Sequence, residues 1–367
     1  MLQPMNELFS TARERAGSNF TLRKAILPLA ASVSIALASL LSGIAAAQEY
    51  ATPKPLKPAA QAPIKGFKGS KGARIAYMPP ATEFNYYIAI GEGVKAAAAK
   101  RNITTFMLAP QSGADINGQM GMLQDVISQR VGAIILSTHD EHAAAPLVKR
   151  AVAQGIAVVI VNSDIAQFPA PVHAVVGYSQ RKGTHKIGDY LLGKLGGKGV
   201  KVGVIEGQPG YHSTERCGGF LDAVKGKPGI DIVASMPGGW NVEGGNTAGM
   251  DLLQAHPDVQ VVFAANDYMI MGVAQAAKSL GRRDITLLGN DGDTAALEAI
   301  NQGDMTATVN TTPFVMGQIA LRVTRDVLNH KFKGGFVETP TTIVDKGNVL
   351  PVLQKPEALY PKPSKAY

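Results

Sequence analysis

The sequence predicts an α/β fold of two doubly wound parallel-sheet lobes, and three observations point to it. The short apolar runs are continuous, as in strands covered on both faces. A stretch with helical spacing separates each run from the next, as parallel strands joined by right-handed crossovers require. The pattern also restarts midway, so two halves of similar plan follow one another.

In order, the first half reads as strand at "ARIAYM" (73–78), helix at "NYYIAIGEGVKAAAAKRN" (85–102), strand at "ITTFMLAP" (103–110) and helix at "DINGQMGMLQDVISQR" (115–130). In that second helix Met120, Leu123, Val126 and Ile127 share a face. Strand "VGAIILST" (131–138), helix "EHAAAPLVKRAVAQG" (141–155) and strand "IAVVIVNSD" (156–164) complete it. After "HAVVGYS" the plan repeats, from the helix at 181–199 to the strand at 305–311. The helix "TPFVMGQIALRVTRDVLNH" (312–330) follows the second half and can pack back on the first. A last strand at "TPTTIVDKG" (339–347) returns to the second.

The first 47 residues carry a basic lead (Arg13, Arg15, Arg23, Lys24) and an uncharged Leu/Ile/Ala run from Ala25 to Ala47. Ala45 and Ala47 fit the small-x-small rule for a cut before Gln48. This is signal-peptide anatomy and predicts a periplasmic protein; the alternative is an uncleaved anchor, since the run is long enough to span a bilayer. Met5 is an alternative start to Met1. Residues 48–72, rich in Pro and Lys, read as an extended tether, with the fold starting near Ala73. The lone Cys217 leaves no disulfide framework and reads as a buried structural thiol.

The composition, 46% hydrophobic and 17% charged, is globular. The formal charge of +8 raises nucleic-acid binding, but the basic residues are scattered and form neither arm nor reading helix, so no nucleic acid is expected. No G-x-S-x-G elbow, H-E-x-x-H, P-loop or strand-led G-x-G-x-x-G is present. Neither an enzyme nor a cofactor is expected, which leaves a Rossmann-type oxidoreductase without its fingerprint.

Two apolar runs, "VQVVFAAND" and "ITLLGNDG", both break off at Asn-Asp. Open α/β sheets bind ligands outside the carboxyl ends of their strands. Asn266, Asp267 and Asp291 stand there, and short polar side chains without a phosphate loop suit a neutral polyhydroxylated ligand. The alternative is that Asp267 and Asp291 cap the helices that follow.

The segment "LLQAHPDVQVVFAANDYMIMGVAQA…LLGNDG" resembles the ribose-type periplasmic sugar-binding proteins of ABC importers, the type I periplasmic binding proteins, from about Ala73 to Lys346. Repressors of the lac type share that fold, but they carry a helix-turn-helix head where this chain has an export signal. The resemblance implies two lobes joined by a three-strand hinge, crossing near Tyr178–Gln180, Thr311 and Glu338–Thr341. The implied N-terminal lobe is 73–178 plus 312–338 and the C-terminal lobe 179–311 plus 339–352, with a tail at 353–367.

For the site, the resemblance implies an aromatic pair at Tyr86 and Tyr87, a facing aromatic at Trp240, and polar contacts at Asn266, Asp291 and Thr311. It also shows departures. An Asp-Arg pair reads Asn162-Ser163 here, with Asp164 next; a second arginine falls on Thr214; a polar residue is replaced by Phe84-Asn85. Both sugar-gripping arginines are therefore expected to be missing, and the ligand is left at a sugar or sugar-like polyol. Trp240 could instead plug its Gly-rich loop onto its own lobe. Tyr86 and Tyr87, being adjacent, cannot both point straight into the core of a helix. His139 sits at the cleft edge as a ligand contact; with Asp140 and His142 it could instead form a metal site, or the three could be no more than a helix start. The expected partners are a small-molecule ligand and an ABC permease in the inner membrane, with the protein a monomer. The runner-up is a sensor presenting its ligand to a membrane receptor or kinase.

Overall fold

The computed structural model describes residues 50–99 and 101–354; the signal-peptide expectation and most of the expected tail lie outside them. The first sheet contains β1 (Arg74–Met78), β2 (Thr104–Met107), β3 (Ala133–Leu136), β4 (Ala157–Val161), β5 (Ala174–Gly177) and β11 (Phe336–Glu338). Its order is β11-β5-β4-β3-β1-β2 and every pairing is parallel. Side chains alternate between its two faces. Ile75, Tyr77, Ile135 and Val159 point one way, with Ile90 and Val94 of α1 (Asn85–Ala98). Ala76, Met78, Ile134 and Val158 point the other way, toward Leu123 and Ile127 of α2 (Ile116–Ser128) and Val148 of α3 (Glu141–Ala153).

The second sheet holds β6 (Val200–Glu206), β7 (Ile230–Pro237), β8 (Val261–Ala264), β9 (Thr286–Asp291), β10 (Ala307–Asn310) and β12 (Thr342–Asp345), in the order β12-β10-β9-β8-β6-β7. Its helices are α4 (Gln180–Leu195), α5 (Tyr211–Val224), α6 (Val242–Ala255), α7 (Asp267–Ser279) and α8 (Thr294–Gln302), with the short α10 (Val349–Leu353) at the end. The one departure from parallel order is β12, antiparallel to β10. The chain reaches it directly from β11 in the other sheet, so no crossover helix sets its direction.

Between the two sheets the chain crosses three times: between Gly177 and Gln180, between Asn310 and Pro313, and between Glu338 and Thr342. After the second crossing α9 (Pro313–Leu328) packs back against α1, as its sequence position allowed. Glycines permit the contact. A Cβ on Gly317 would lie 1.9 Å from the Ile90 carbonyl oxygen, and one on Gly93 would lie 2.0 Å from that of Phe314. The two backbones touch where any side chain would hold them apart.

The expected tether is corrected by the structure. Residues 50–72 are extended apart from one 3₁₀ turn at Pro58–Ala60, but they are docked on the first sheet. Lys54 and Phe336 exchange backbone hydrogen bonds, and Ala62 N–H donates to the Val172 carbonyl (2.8 Å). Leu56, Ala60 and Ala62 are buried. Prolines favour an extended chain and remove donors only at their own positions. The other N–H groups pair with the sheet edge, while the apolar residues cover it.

Candidate functional site

The carboxyl ends of both sheets face one cleft. It holds a pocket whose lining both lobes supply. From the first come Phe84, Tyr86, Tyr87 and His139; from the second His212, Arg216, Trp240, Asn266, Tyr268 and Asp291.

Tyr86 and Tyr87 open α1. Successive residues there point about 100° apart, and at the end of a helix both directions reach the cleft. Their rings meet edge to face (5.5 Å, 84°). The Tyr86 hydroxyl donates to Asn162 Oδ1 (2.9 Å) and shares a hydrogen bond with Thr311 Oγ1 (2.9 Å). Asn162 and Thr311 thus stand behind Tyr86 and do not line the cavity. The Nδ2 of Asn162 has no partner, which leaves a buried donor beside the site. His139 Nδ1 lies 3.1 Å from the Gly113 carbonyl and donates to it, so Nε2 is the acceptor facing the Tyr87 hydroxyl (3.3 Å). Burial lowers the pKa of His139, which favours that neutral form.

Trp240 stacks over His139 across the cleft (6.4 Å, 26°). Its backbone is left-handed (φ 73°), and its carbonyl accepts from Asn266 Nδ2 (2.8 Å). Gly207 makes room for the indole, since a Cβ there would lie 2.1 Å from the ring. The indole is therefore a wall of the cleft, not only a plug on its own lobe.

Asn266, not Asp267, caps α7, accepting from the Met269 N–H (2.9 Å). Asp267 is fully buried and accepts from the N–H groups of Gly292 and Asp293 (both 2.8 Å) and from the Thr308 hydroxyl (2.6 Å). It shapes the turn after β9, and burial pushes its pKa up to about 7. The cap of α8 is Asp293. Neither Asp267 nor Asp291 is a helix cap.

Asp291 meets an arginine. Its Oδ1 accepts from Arg216 Nη1 (3.1 Å) and Asn290 Nδ2 (3.1 Å), and its φ of 139° is rare for any residue but glycine. Burial pushes its carboxyl up to about 8, while the Arg216 charge favours the carboxylate. Arg216 also donates to Gln180 Oε1 (2.9 Å) and to the Ala265 carbonyl (3.1 Å). Its guanidinium lies 5.4 Å from the Trp240 ring and 5.7 Å from that of Tyr178.

This corrects half of the expected loss of both arginines: the second lobe does supply one, while Asn162-Ser163 leaves the first lobe without. Thr214 is exposed on the far side of α5, and Arg216, two positions and about 200° further round, faces the cleft. His212 and Arg216 are spaced i, i+4 on one face of "YHSTER", a signal present in the sequence. Phe84 and Tyr268, which no motif in the sequence marks as site residues, also line the cleft. Asp164 is a second correction. Its carboxylate accepts from the Gln180 N–H (3.1 Å) and the Tyr211 hydroxyl (3.1 Å), at the first crossing and outside the cavity lining. The acidic-histidine cluster also separates: Asp140 caps α3, His142 is exposed and His139 enters the cleft. Among the described residues no three metal-binding side chains converge.

Residues 75–332 match the periplasmic binding protein domain family. The chain is 32% identical over 247 residues to the ribose import binding protein of Bacillus subtilis (strain 168), covering 67% of this chain and 78% of that protein. It is 30% identical to the D-ribose/D-allose-binding protein of Pseudomonas aeruginosa, covering 74% and 88%. Among solved structures it is similar to an ABC transporter periplasmic solute binding protein from Actinobacillus succinogenes 130z with bound D-allose. There the TM-score is 0.71 at 26% identity, over 76% of this chain and 99% of that one. A solute binding protein from Mycobacterium smegmatis with bound glycerol gives 0.71 at 29%, over 77% and 96%.

Proposed function

Because this chain belongs to the periplasmic binding protein family, we propose that its cleft captures a neutral sugar or sugar-like polyol for an inner-membrane ABC permease. The protein is the solute-binding component of an importer and acts in the periplasm. The observation that carries the ligand reading is the Arg216–Asp291 pair set among aromatic walls at Tyr86, Tyr87 and Trp240. Aromatic faces cover the C–H surface of a polyol, and the paired ions offer one acceptor and one donor to neighbouring hydroxyls without favouring a charged ligand. The names of the relatives favour import over a sensory role.

In this reading the protein works as a monomer, the three crossings are its hinge, and the segment ending at Ala47 is removed on export. A thermal-shift screen over sugars and polyols tests the ligand class. A ligand at about 100 times its dissociation constant adds roughly 2.7 kcal/mol of stability; no shift with any of them ends the proposal. Intact-mass measurement of periplasmic protein tests cleavage, and a mass including Ala25–Ala47 means a membrane anchor. Stimulation of the reconstituted permease by liganded protein tests the partner.

A further inference from the structure

Most polar groups of the cleft are already spent on the protein. Asn266 uses its oxygen on Met269 N–H and its nitrogen on the Trp240 carbonyl. The Tyr86 hydroxyl is held by Asn162 and Thr311, and His139 is held at both ring nitrogens. Among the lining side chains Asp291 Oδ2, Arg216 Nη2 and the Trp240 indole N–H have no protein hydrogen-bond partner, and Asn162 Nδ2 is unpartnered behind Tyr86. The first three offer one acceptor and two donors. The acceptor and one donor belong to an ion pair whose charges cancel, so the site favours a neutral molecule with adjacent hydroxyls.

Two further rings line the cleft. Phe84 meets Tyr268 edge to face across the cleft (5.3 Å, 73°), and Phe84 also meets Tyr87 (6.0 Å, 68°). Tyr268 is held from both lobes: its hydroxyl accepts from the Asn85 N–H (3.2 Å) and donates to Asp293 Oδ2 (3.2 Å). The cavity that these rings and Arg216 help to line has a volume of only ≈ 30 Å³. One water needs roughly 10–15 Å³ on that measure, so the gap is two or three waters long.

We propose that the cleft is built for a short, acyclic, neutral polyol of about three or four carbons, and that Phe84 and Tyr268 exclude sugar rings by occupying the space a ring would need. This rests on the reading of the cleft as a polyol or sugar site and narrows it. Vicinal hydroxyls of the chain reach Asp291 and Arg216, a third reaches the indole N–H, and the C–H edges lie against Tyr86 and Tyr87.

Titration calorimetry on the mature protein with glycerol, erythritol, ribose and allose tests it. The expected result is that glycerol or erythritol binds at least about tenfold more tightly than either sugar. Phe84→Ala should then move the preference toward ribose by at least about tenfold. Tyr268→Ala, on the other lobe, supplies the same readout where Phe84→Ala does not fold. Ribose or allose binding more tightly than both short polyols in the parent overturns this proposal and leaves the sugar-import reading standing. Equal preference in parent and both variants overturns the role given to the rings. Failure of all four to bind, with a larger sugar binding instead, also overturns the proposal without touching the import reading; failure of every sugar and polyol ends both.

Discussion

Arg216 Nη1 lies 3.1 Å from Asp291 Oδ1, and the two side chains are only 5% and 6% exposed. Helix α5 supplies the cation and the end of β9 the anion. A buried pair of this kind contributes little net stability, yet removing one partner strands the other and costs about 3–5 kcal/mol.

Asp291→Ala should therefore act twice. It should lower stability by about 3–5 kcal/mol through the stranded guanidinium. It should also weaken ligand binding by roughly 10- to 150-fold, since charged hydrogen bonds contribute about 1.5–3 kcal/mol. Chemical denaturation followed by calorimetry on the folded fraction measures both. Parent-like affinity in this variant removes Asp291 from the site.

Trp240→Ala and Thr214→Ala form a contrast. The first removes a stacking wall and should weaken binding to a similar degree as Asp291→Ala. The second alters an exposed residue on the far side of α5 and should leave affinity within twofold. A large effect at Thr214 would place the ligand elsewhere.

Closure should follow ligand. Contacts such as the His139–Trp240 stack and the Asn85–Tyr268 hydrogen bond join residues of opposite lobes. A ligand held by both lobes favours the conformer in which these form. Solution scattering should show a smaller radius of gyration at saturation, and an unchanged radius counts against a moving hinge.

Acid should weaken the fold through His173. It is 2% exposed, and its Nδ1 accepts the Val158 N–H (2.9 Å), which requires that nitrogen unprotonated. Burial lowers its pKa to about 4. The unfolded chain, near 6.5, binds the proton more readily, so this contribution is complete above about pH 6.5 and is lost as pH falls toward 4. The whole of it is about 3 kcal/mol. Asp267 acts in the opposite sense: its raised value means the folded state holds the proton longer, and stability falls as pH rises from about 4 to 7. A difference between variants separates the terms. His173→Asn keeps an acceptor for Val158 and cannot titrate. Its loss of stability between pH 7 and 4.5 should be smaller than the parent's by about 2–3 kcal/mol; identical losses in thermal unfolding would show that His173 takes up its proton as readily in the folded state as in the unfolded chain.

The sequence by itself determined the alternation of strand and helix, the two halves and the strand ends where ligand groups gather. Those are properties of local periodicity and of the parallel-sheet rule, which act within a few residues or through topology. His139, Asn266 and Asp291 were legible because each stands at or just past a strand end, and Tyr86, Tyr87 and Trp240 through the family resemblance. Tertiary structure alone decided which partner each side chain takes. Arg216 pairs with Asp291 across 75 positions, and Asp164 turns to Gln180 and Tyr211 instead of the cleft. Whether residues 50–72 are a tether or a docked strap depended on a free sheet edge at β11, nearly 300 residues away. A hydrogen bond between distant segments has no periodicity along the chain. It exists only once packing has brought donor and acceptor to the same desolvated place.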